Sequence, residues 1–148
     1  MKTFALGGSA SPDSINYKGL TLLNHWCKFD KLDSLSNYNI PVINTSASDG
    51  IVPKDITVLI DTMHDYDKFV FAVPEMTEQM GAAFKNFLDW LVTKYYMNWS
   101  LGKSYPFSKC DTILLTFTPS GNEGGSRHFP QTTKILNKLG ANIVYSKC

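Results

Sequence analysis

The chain has 148 residues, 43% of them hydrophobic, with 14 Lys and Arg against 13 Asp and Glu and a formal net charge of +1. That length supports one sizeable core and is too short for two ordinary domains, so a single domain over residues 1–148 is expected. The composition excludes a disordered chain, the scattered charges exclude an electrostatic footprint for nucleic acid, and no apolar stretch approaches the roughly 20 residues of a membrane span.

Residues 2–7, KTFALG, are short and apolar enough for a buried strand. The six-residue run after the single Lys is too short for a signal-peptide core, so a cytoplasmic protein is expected. A Gly- and Ser-rich turn, GGSASPDSINY, leads into a helix predicted over Ile15–Cys27, with Leu20, Leu23 and Cys27 three or four apart. The next stretch holds little periodicity and many Ser, Asn, Asp and Pro residues, which gives a short edge strand near Lys31–Leu35 and then a long loop. Pro53 suits the first turn of a helix whose apolar stripe is Ile56, Leu59, Ile60 and Met63. KFVFAVPEM, residues 68–76, reads as the central strand, since Phe69–Val73 is continuously apolar. Met80, Ala83, Phe84, Phe87, Leu88, Leu91 and Tyr95 then mark a long amphipathic helix from Gly81 to about Tyr96. DTILLTFTP, residues 111–119, reads as another buried strand. SGNEGGSR reads as a loop, Phe129–Leu139 as a helix closed by Gly140, and ANIVYS as the last strand.

Strands alternating with helices call for a parallel sheet covered on both faces. The expected fold is α/β, a flavodoxin-like three-layer αβα sandwich on a five-stranded parallel sheet of order 2-1-3-4-5. Ligands of such sheets bind beyond the carboxyl ends of the strands, at the switch point between strands 1 and 3. Three loops leave those ends: GGSASPDSIN, PEMTEQM and TPSGNEGG.

The first loop lacks the Gly-Lys pair of a Walker P-loop and is not the GxGxxG dinucleotide turn. It places Ser9, Ser11, Ser14 and Asn16 beside the first turn of a helix, where unpaired amides and the positive dipole end favour an anion. Taken alone, it reads first as a helix cap at Ser14 or Asp13 with a Gly-Gly turn.

The second loop and its helix, PEMTEQMGAAFKNFLDWL, resemble the Pro-Glu-Tyr-Asn stretch and the Lys-Asn-x-x-Asp-Trp helix of the NADPH-dependent FMN reductase family, with Pro74, Lys85, Asn86, Asp89 and Trp90 at matching spacing. Gly8, Ser9, Ser14 and Asn16 match that family's phosphate motif. TPSGNEGGSR resembles its third flavin-contacting loop, and LNKLGANIVYS the segment leading to its last strand. The chain departs from the family pattern at Met76, where Tyr is usual, and at Thr77, where Asn is usual. The Gly that enters the helix stands one place early, at Gly81, and Ser11 or Pro12 replaces a basic residue. These departures fall on the substrate and NADPH side of the site more than on the FMN side. Members of the family usually add a helix after the last strand, so one face of that strand is expected to be exposed or covered by a partner subunit.

The resemblance implies FMN as cofactor, NADPH or NADH as co-substrate, and a small electron acceptor such as flavin, a quinone or an azo compound. It also implies a homodimer or homotetramer. Ser9, Ser11, Ser14, Ile15 and Asn16 would hold the FMN phosphate. Pro74, Glu75, Met76, Thr77 and Gln79 would line the flavin ring, and Thr118, Ser120, Gly121 and Gly124 would complete the pocket around ring and ribityl chain. No catalytic side chain is expected, because the cofactor carries the chemistry. A one-electron carrier of flavodoxin type is the alternative, which the near-neutral charge disfavours; a binding module without flavin is a second.

The remaining residues invite plainer readings. His25, His64 and His128 are far apart, without carboxylates or Cys at metal-ligand spacing, and read as surface or half-buried residues, with His64 near a helix end. Cys27, Cys110 and Cys148 form no CxxC and read as free thiols. Lys85 would reach either a cofactor phosphate or solvent, Asp89 would fix structure, and YYMNW, residues 95–99, would end a core helix or serve self-association.

Overall fold

A computed structural model describes residues 1–44, 52–97, 104–119 and 124–148. In β1 (Thr3–Gly7) the residues Phe4, Ala5 and Leu6 are all fully buried, as a strand covered on both faces requires. Helix α1 (Ile15–Cys27) starts where the Ser14 hydroxyl accepts the Asn16 amide, and it stops at Lys28, which takes a left-handed conformation. Edge strand β2 (Lys31–Ser34) carries the buried Asp33, whose carboxylate accepts from the Ser34 amide, the Asn37 side chain and the Tyr38 hydroxyl. The chain continues through α2 (Lys54–Met63), β3 (Lys68–Ala72), β4 (Glu75–Met76), β5 (Gln79–Met80), α3 (Ala82–Met97), β6 (Asp111–Leu115), α4 (Phe129–Lys138) and β7 (Asn142–Lys147).

The main sheet runs β2-β1-β3-β6-β7 with every pairing parallel, which is the expected 2-1-3-4-5 order once its five strands are counted alone. Its two faces are unlike. Phe4 and Leu6 of β1, Phe69 and Phe71 of β3 and Leu114 of β6 point to one side, where α2, α3 and α4 supply Ile56, Leu59, Phe84, Phe87, Leu91 and Leu136. The alternate residues Ala5, Val70 and Ala72 point to the other side, against Leu20 of α1, with Ile113, Leu115 and Phe117 at the margin. The large side chains fill the face with three helices, and the small ones let α1 approach closely.

Three expectations need correction. The apolar runs of 68–76 and 111–119 are longer than their strands, because pairing stops at Ala72 and Leu115. Val73 stays buried beyond the end of β3, and Glu75–Met80 turns away as a separate antiparallel hairpin, β4–β5. Cys27, expected on the buried stripe of α1, is exposed, as is Trp26 at 86%. The sheet beside them is thinly covered: Tyr145 of β7 is 51% exposed on the strand that closes the sheet.

Lys85 and Asp89 form a bidentate i,i+4 pair on α3 (2.6 and 2.8 Å). The neighbouring Asn86 and Trp90 hold the 41–43 segment, because both donate to the Pro41 carbonyl and Asn86 accepts the Ile43 amide. Four residues of the Lys-Asn-x-x-Asp-Trp pattern therefore make structural hydrogen bonds. Tyr95 packs on Tyr105, and residues 98–99 of the aromatic cluster lie outside the described residues. The three cysteines are free.

Candidate functional site

Because β1, β3 and β6 run parallel, the loops after them emerge together. They enclose a cleft of about 570 Å³, within the range of small-molecule sites. Ile15 and Asn16 line it from the start of α1, Pro74, Glu75 and Met76 from the second loop, and Thr116, Phe117, Thr118, Pro119, Gly124, Gly125 and Arg127 from the third.

The first loop is folded by its own polar groups. Gly8 donates its amide to the Ala72 carbonyl at 2.8 Å, which ties the loop to the end of β3. The Ser11 amide donates to the Ser9 hydroxyl, and the Ser14 amide donates to the Ser11 carbonyl. Ser14 caps α1, so one first-turn amide is taken and the rest point along the helix axis into the loop. No acidic residue stands in that first turn. Asp13 sits just before it, 91% exposed, 3.8 Å from Lys18. Asn16 is buried, and its amide spans to the third loop: Oδ1 accepts from the Phe117 amide at 3.0 Å, and Nδ2 donates to the Phe117 carbonyl at 3.4 Å.

The second loop is the hairpin β4–β5, a two-residue turn in which Thr77 and Glu78 both have positive φ, 50° and 64°. That is the pattern of a type I′ turn, which normally asks for Asn-Gly. Glu75 fastens the hairpin to the third loop by accepting the Arg127 amide at 2.8 Å, and Glu78 faces the Arg127 guanidinium at 3.4 Å. Gly81 closes the hairpin through its amide to the Pro74 carbonyl at 2.7 Å.

In the third loop Gly125 has φ +91°, and a Cβ there would meet Thr116 Cγ2 at 2.5 Å. Only glycine lets the chain pass so close to the end of β6. His128 follows at the start of α4 and is fully buried, contrary to the surface or half-buried position expected of it. His64, as expected, stands at a helix end, the C-cap of α2, and its ring meets the Tyr95 hydroxyl.

Of the residues expected at the site, Ile15, Asn16, Pro74, Glu75, Met76, Thr118 and Gly124 line the cleft together. Ser9, Ser11 and Ser14 lie in the adjoining first loop, and Thr77 and Gln79 lie on the hairpin without lining the cleft. Ser120 and Gly121 lie outside the described residues. The sequence reading missed Thr116, Phe117, Pro119, Gly125 and Arg127. The Gly-Gly pair at 124–125 was the available signal for Gly125, but nothing local marks the ends of an apolar run as cleft-lining.

The sequence model of the NADPH-dependent FMN reductase family matches residues 1–147. No curated protein matches the chain. Among solved structures, FerB, a flavoenzyme NAD(P)H:(acceptor) oxidoreductase from Paracoccus denitrificans, superposes with a TM-score of 0.73 at 21% identity, over 98% of this chain and 75% of that one. An NADH:FMN oxidoreductase (EMOB) in its apo form gives 0.58 at 16% identity, over 98% of this chain and 71% of that one. An FMN-dependent NADH-azoreductase from Bacillus anthracis, in complex with FMN, gives 0.61 at 10% identity, over 99% of this chain and 85% of that one. At these identities the likeness establishes the fold.

Proposed function

Because the chain belongs to the NADPH-dependent FMN reductase family, an FMN-dependent NAD(P)H oxidoreductase family, we propose that the cleft between β1, β3 and β6 is its FMN site. The acceptor in this reading is a small molecule: free flavin, a quinone or an azo compound. The observation that carries it is the convergence of the three loops on one cleft beside the N-terminus of α1. The residues present fit the group, since the cleft is large enough, one wall is kept thin by Gly125, and an anion-favouring helix end adjoins it.

Ser9, Ser11, Ser14, Ile15 and Asn16 would hold the phosphate through hydroxyls and main-chain amides. Asp13 offers little repulsion, since its carboxylate is 91% exposed and faces Lys18. Pro74, Glu75, Met76, Thr77 and Gln79 would bound the ring edge, and Thr118, Ser120, Gly121 and Gly124 the ring face and ribityl chain. When bound, FMN supplies the two-electron chemistry that links NAD(P)H to the acceptor. The protein orients the ring, and main-chain amides near Glu75–Thr77 favour negative charge on its pyrimidine side. No side chain is assigned as acid or base. Met76, 63% exposed at the rim, leaves one side of the cleft open. NAD(P)H and acceptor would therefore use the same opening in turn.

The reading extends to a cytoplasmic homodimer or homotetramer; among the described residues no helix is long and apolar enough to cross a membrane. The test is reconstitution. Purified protein titrated with FMN should quench its fluorescence at one flavin per chain, and the complex should oxidise NADPH when a quinone or azo dye is added. A protein that binds no FMN overturns the reading.

A further inference from the structure

His128 is fully buried at the start of α4, and both of its ring nitrogens have hydrogen-bond partners. Nε2 lies 2.6 Å from the Thr116 hydroxyl and Nδ1 lies 2.8 Å from the Thr132 hydroxyl. The proton positions follow by counting donors. Thr116 has one hydroxyl proton, and it goes to the Val73 carbonyl at 2.8 Å, which can only accept. Nε2 must then carry a proton and donate it to Thr116. In the neutral ring, which burial favours, Nδ1 is the acceptor and the Thr132 hydroxyl donates to it. That Nε2–H form satisfies every group in the chain of contacts.

That chain joins the ends of β3 and β6 to the start of α4. Val73 follows β3, Thr116 follows β6 and lines the cleft, His128 precedes α4 and Thr132 belongs to it. The residue before His128 completes a ring, because the Arg127 amide donates to Glu75, two residues after Val73 on the opposite wall. The first residues of α4 thus hold both the β6 wall and the β4–β5 hairpin.

We propose that His128 is the positioning residue of the flavin cleft: as a neutral imidazole bridged between Thr116 and Thr132 it seats the β6 wall on the start of α4, and protonation of Nδ1 breaks the Thr132 half of that bridge and weakens flavin binding. A second ring proton would have to go on Nδ1, where it meets the proton that the buried Thr132 now donates. Thr132 would have to turn its hydroxyl away inside a closed site. Burial pushes the imidazole below its usual value, and the Glu75 carboxylate opposes that shift. The other charged or titratable groups on α4 and the elements packed against it are Lys134 and Lys138 on α4, Glu78 on the hairpin turn, Arg127 at the helix start, Tyr145 and Lys147 of β7, and Cys148 after it. Arg127 spans to Glu78, and burial pushes the Cys148 thiol up, so that thiol stays neutral over the relevant range. The loss is therefore expected on the acid side of the usual histidine range.

The inference rests on the FMN reading of the cleft, and the two can fail separately. FMN affinity is measured by fluorescence quenching from pH 8 to pH 5 for the wild type and for His128→Gln, whose amide keeps a donor near the Nε2 position but takes up no proton. The FMN phosphate itself titrates near pH 6 and contributes equally to both. The wild type should lose additional affinity relative to the variant, approaching about tenfold per pH unit once below the imidazole titration. Superimposable pH profiles would overturn the proposal while leaving the FMN reading intact, whereas no binding at any pH overturns both. Nitrogen NMR of the wild-type imidazole, without flavin, needs no variant. It should show the Nε2–H tautomer at neutral pH and titration below the usual histidine value; an Nδ1–H tautomer or an imidazolium at neutral pH would overturn the proposal.

Discussion

Replacing Thr77-Glu78 with Asn-Gly should stabilise the protein. Both residues occupy the left-handed region in a two-residue turn, and Thr77 is β-branched, the side-chain type that suits this region least. Each left-handed L-residue costs roughly 1–2 kcal/mol, and Asn-Gly removes most of that at both positions. Two terms oppose the gain. Gly at position 78 adds unfolded-state freedom worth about 0.5–1 kcal/mol. The change also deletes the Glu78–Arg127 contact, whose partners are 69% and 55% exposed, so its loss costs about 0.5 kcal/mol at most. The balance is a gain of about 1 kcal/mol, which for a chain of this length raises Tm by roughly 2–4 °C. Differential scanning calorimetry of the flavin-free protein reads this directly. Thr77→Asn alone, which keeps the ion pair, should capture part of it. An unchanged or lower Tm for the double variant would show that the turn is not held in the type I′ form, and the strain argument would fall.

Other expectations follow from single contacts. Ser14→Asp keeps a good N-cap for α1, so Tm should hold, but it sets a carboxylate beside the proposed phosphate and should weaken FMN binding by roughly tenfold to hundredfold; unchanged affinity would place the phosphate elsewhere. Gly19→Ala puts a Cβ about 2.5 Å from the Phe117 ring, so the third loop must shift and stability should fall by roughly 1–3 kcal/mol in urea unfolding, with FMN affinity falling too. Trp90→Phe removes the indole donor to the Pro41 carbonyl and should cost about 1–2 kcal/mol without altering FMN affinity, because its contact lies on α3 away from the cleft. Acidification should destabilise the flavin-free protein. The unfolded chain protonates His128 near its ordinary value, while the folded chain resists. Stability is therefore full above about pH 6.5 and falls as pH drops toward the lowered folded value, as melts across that window would show.

Much of this architecture is legible in the sequence, because each buried strand is a short apolar run and each helix carries apolar residues three and four apart. The strand ends are harder to read. Val73 is as buried as the strand before it, so hydrophobicity cannot mark where β3 stops pairing. The hairpin after it is hidden for a different reason: a two-residue turn is recognised by Asn-Gly or a similar pair, and Thr-Glu offers no such signal. At the cleft, loop position after strands 1, 3 and 4 of the sheet brings seven of the expected residues to one cavity. Asn16 shows the limit of that reasoning. Its side chain is spent on the Phe117 backbone, a contact across 101 residues that local sequence does not display. The burial of His128 is hidden for a similar reason, since its ring is satisfied by Thr116, just after β6, and Thr132 of α4. Cys27 failed in the opposite sense: periodicity put it on the inner face of α1, but the sheet opposite is too thinly covered to bury it.

FMN bound in this cleft should be reduced by a nicotinamide cofactor. Rapid anaerobic mixing of the FMN-loaded protein with NADPH, followed by flavin absorbance, tests it most directly. Bleaching within seconds, with colour restored by a quinone or an azo acceptor, is the predicted result. A yellow protein that NADPH leaves oxidised, while dithionite reduces it, would contradict the account.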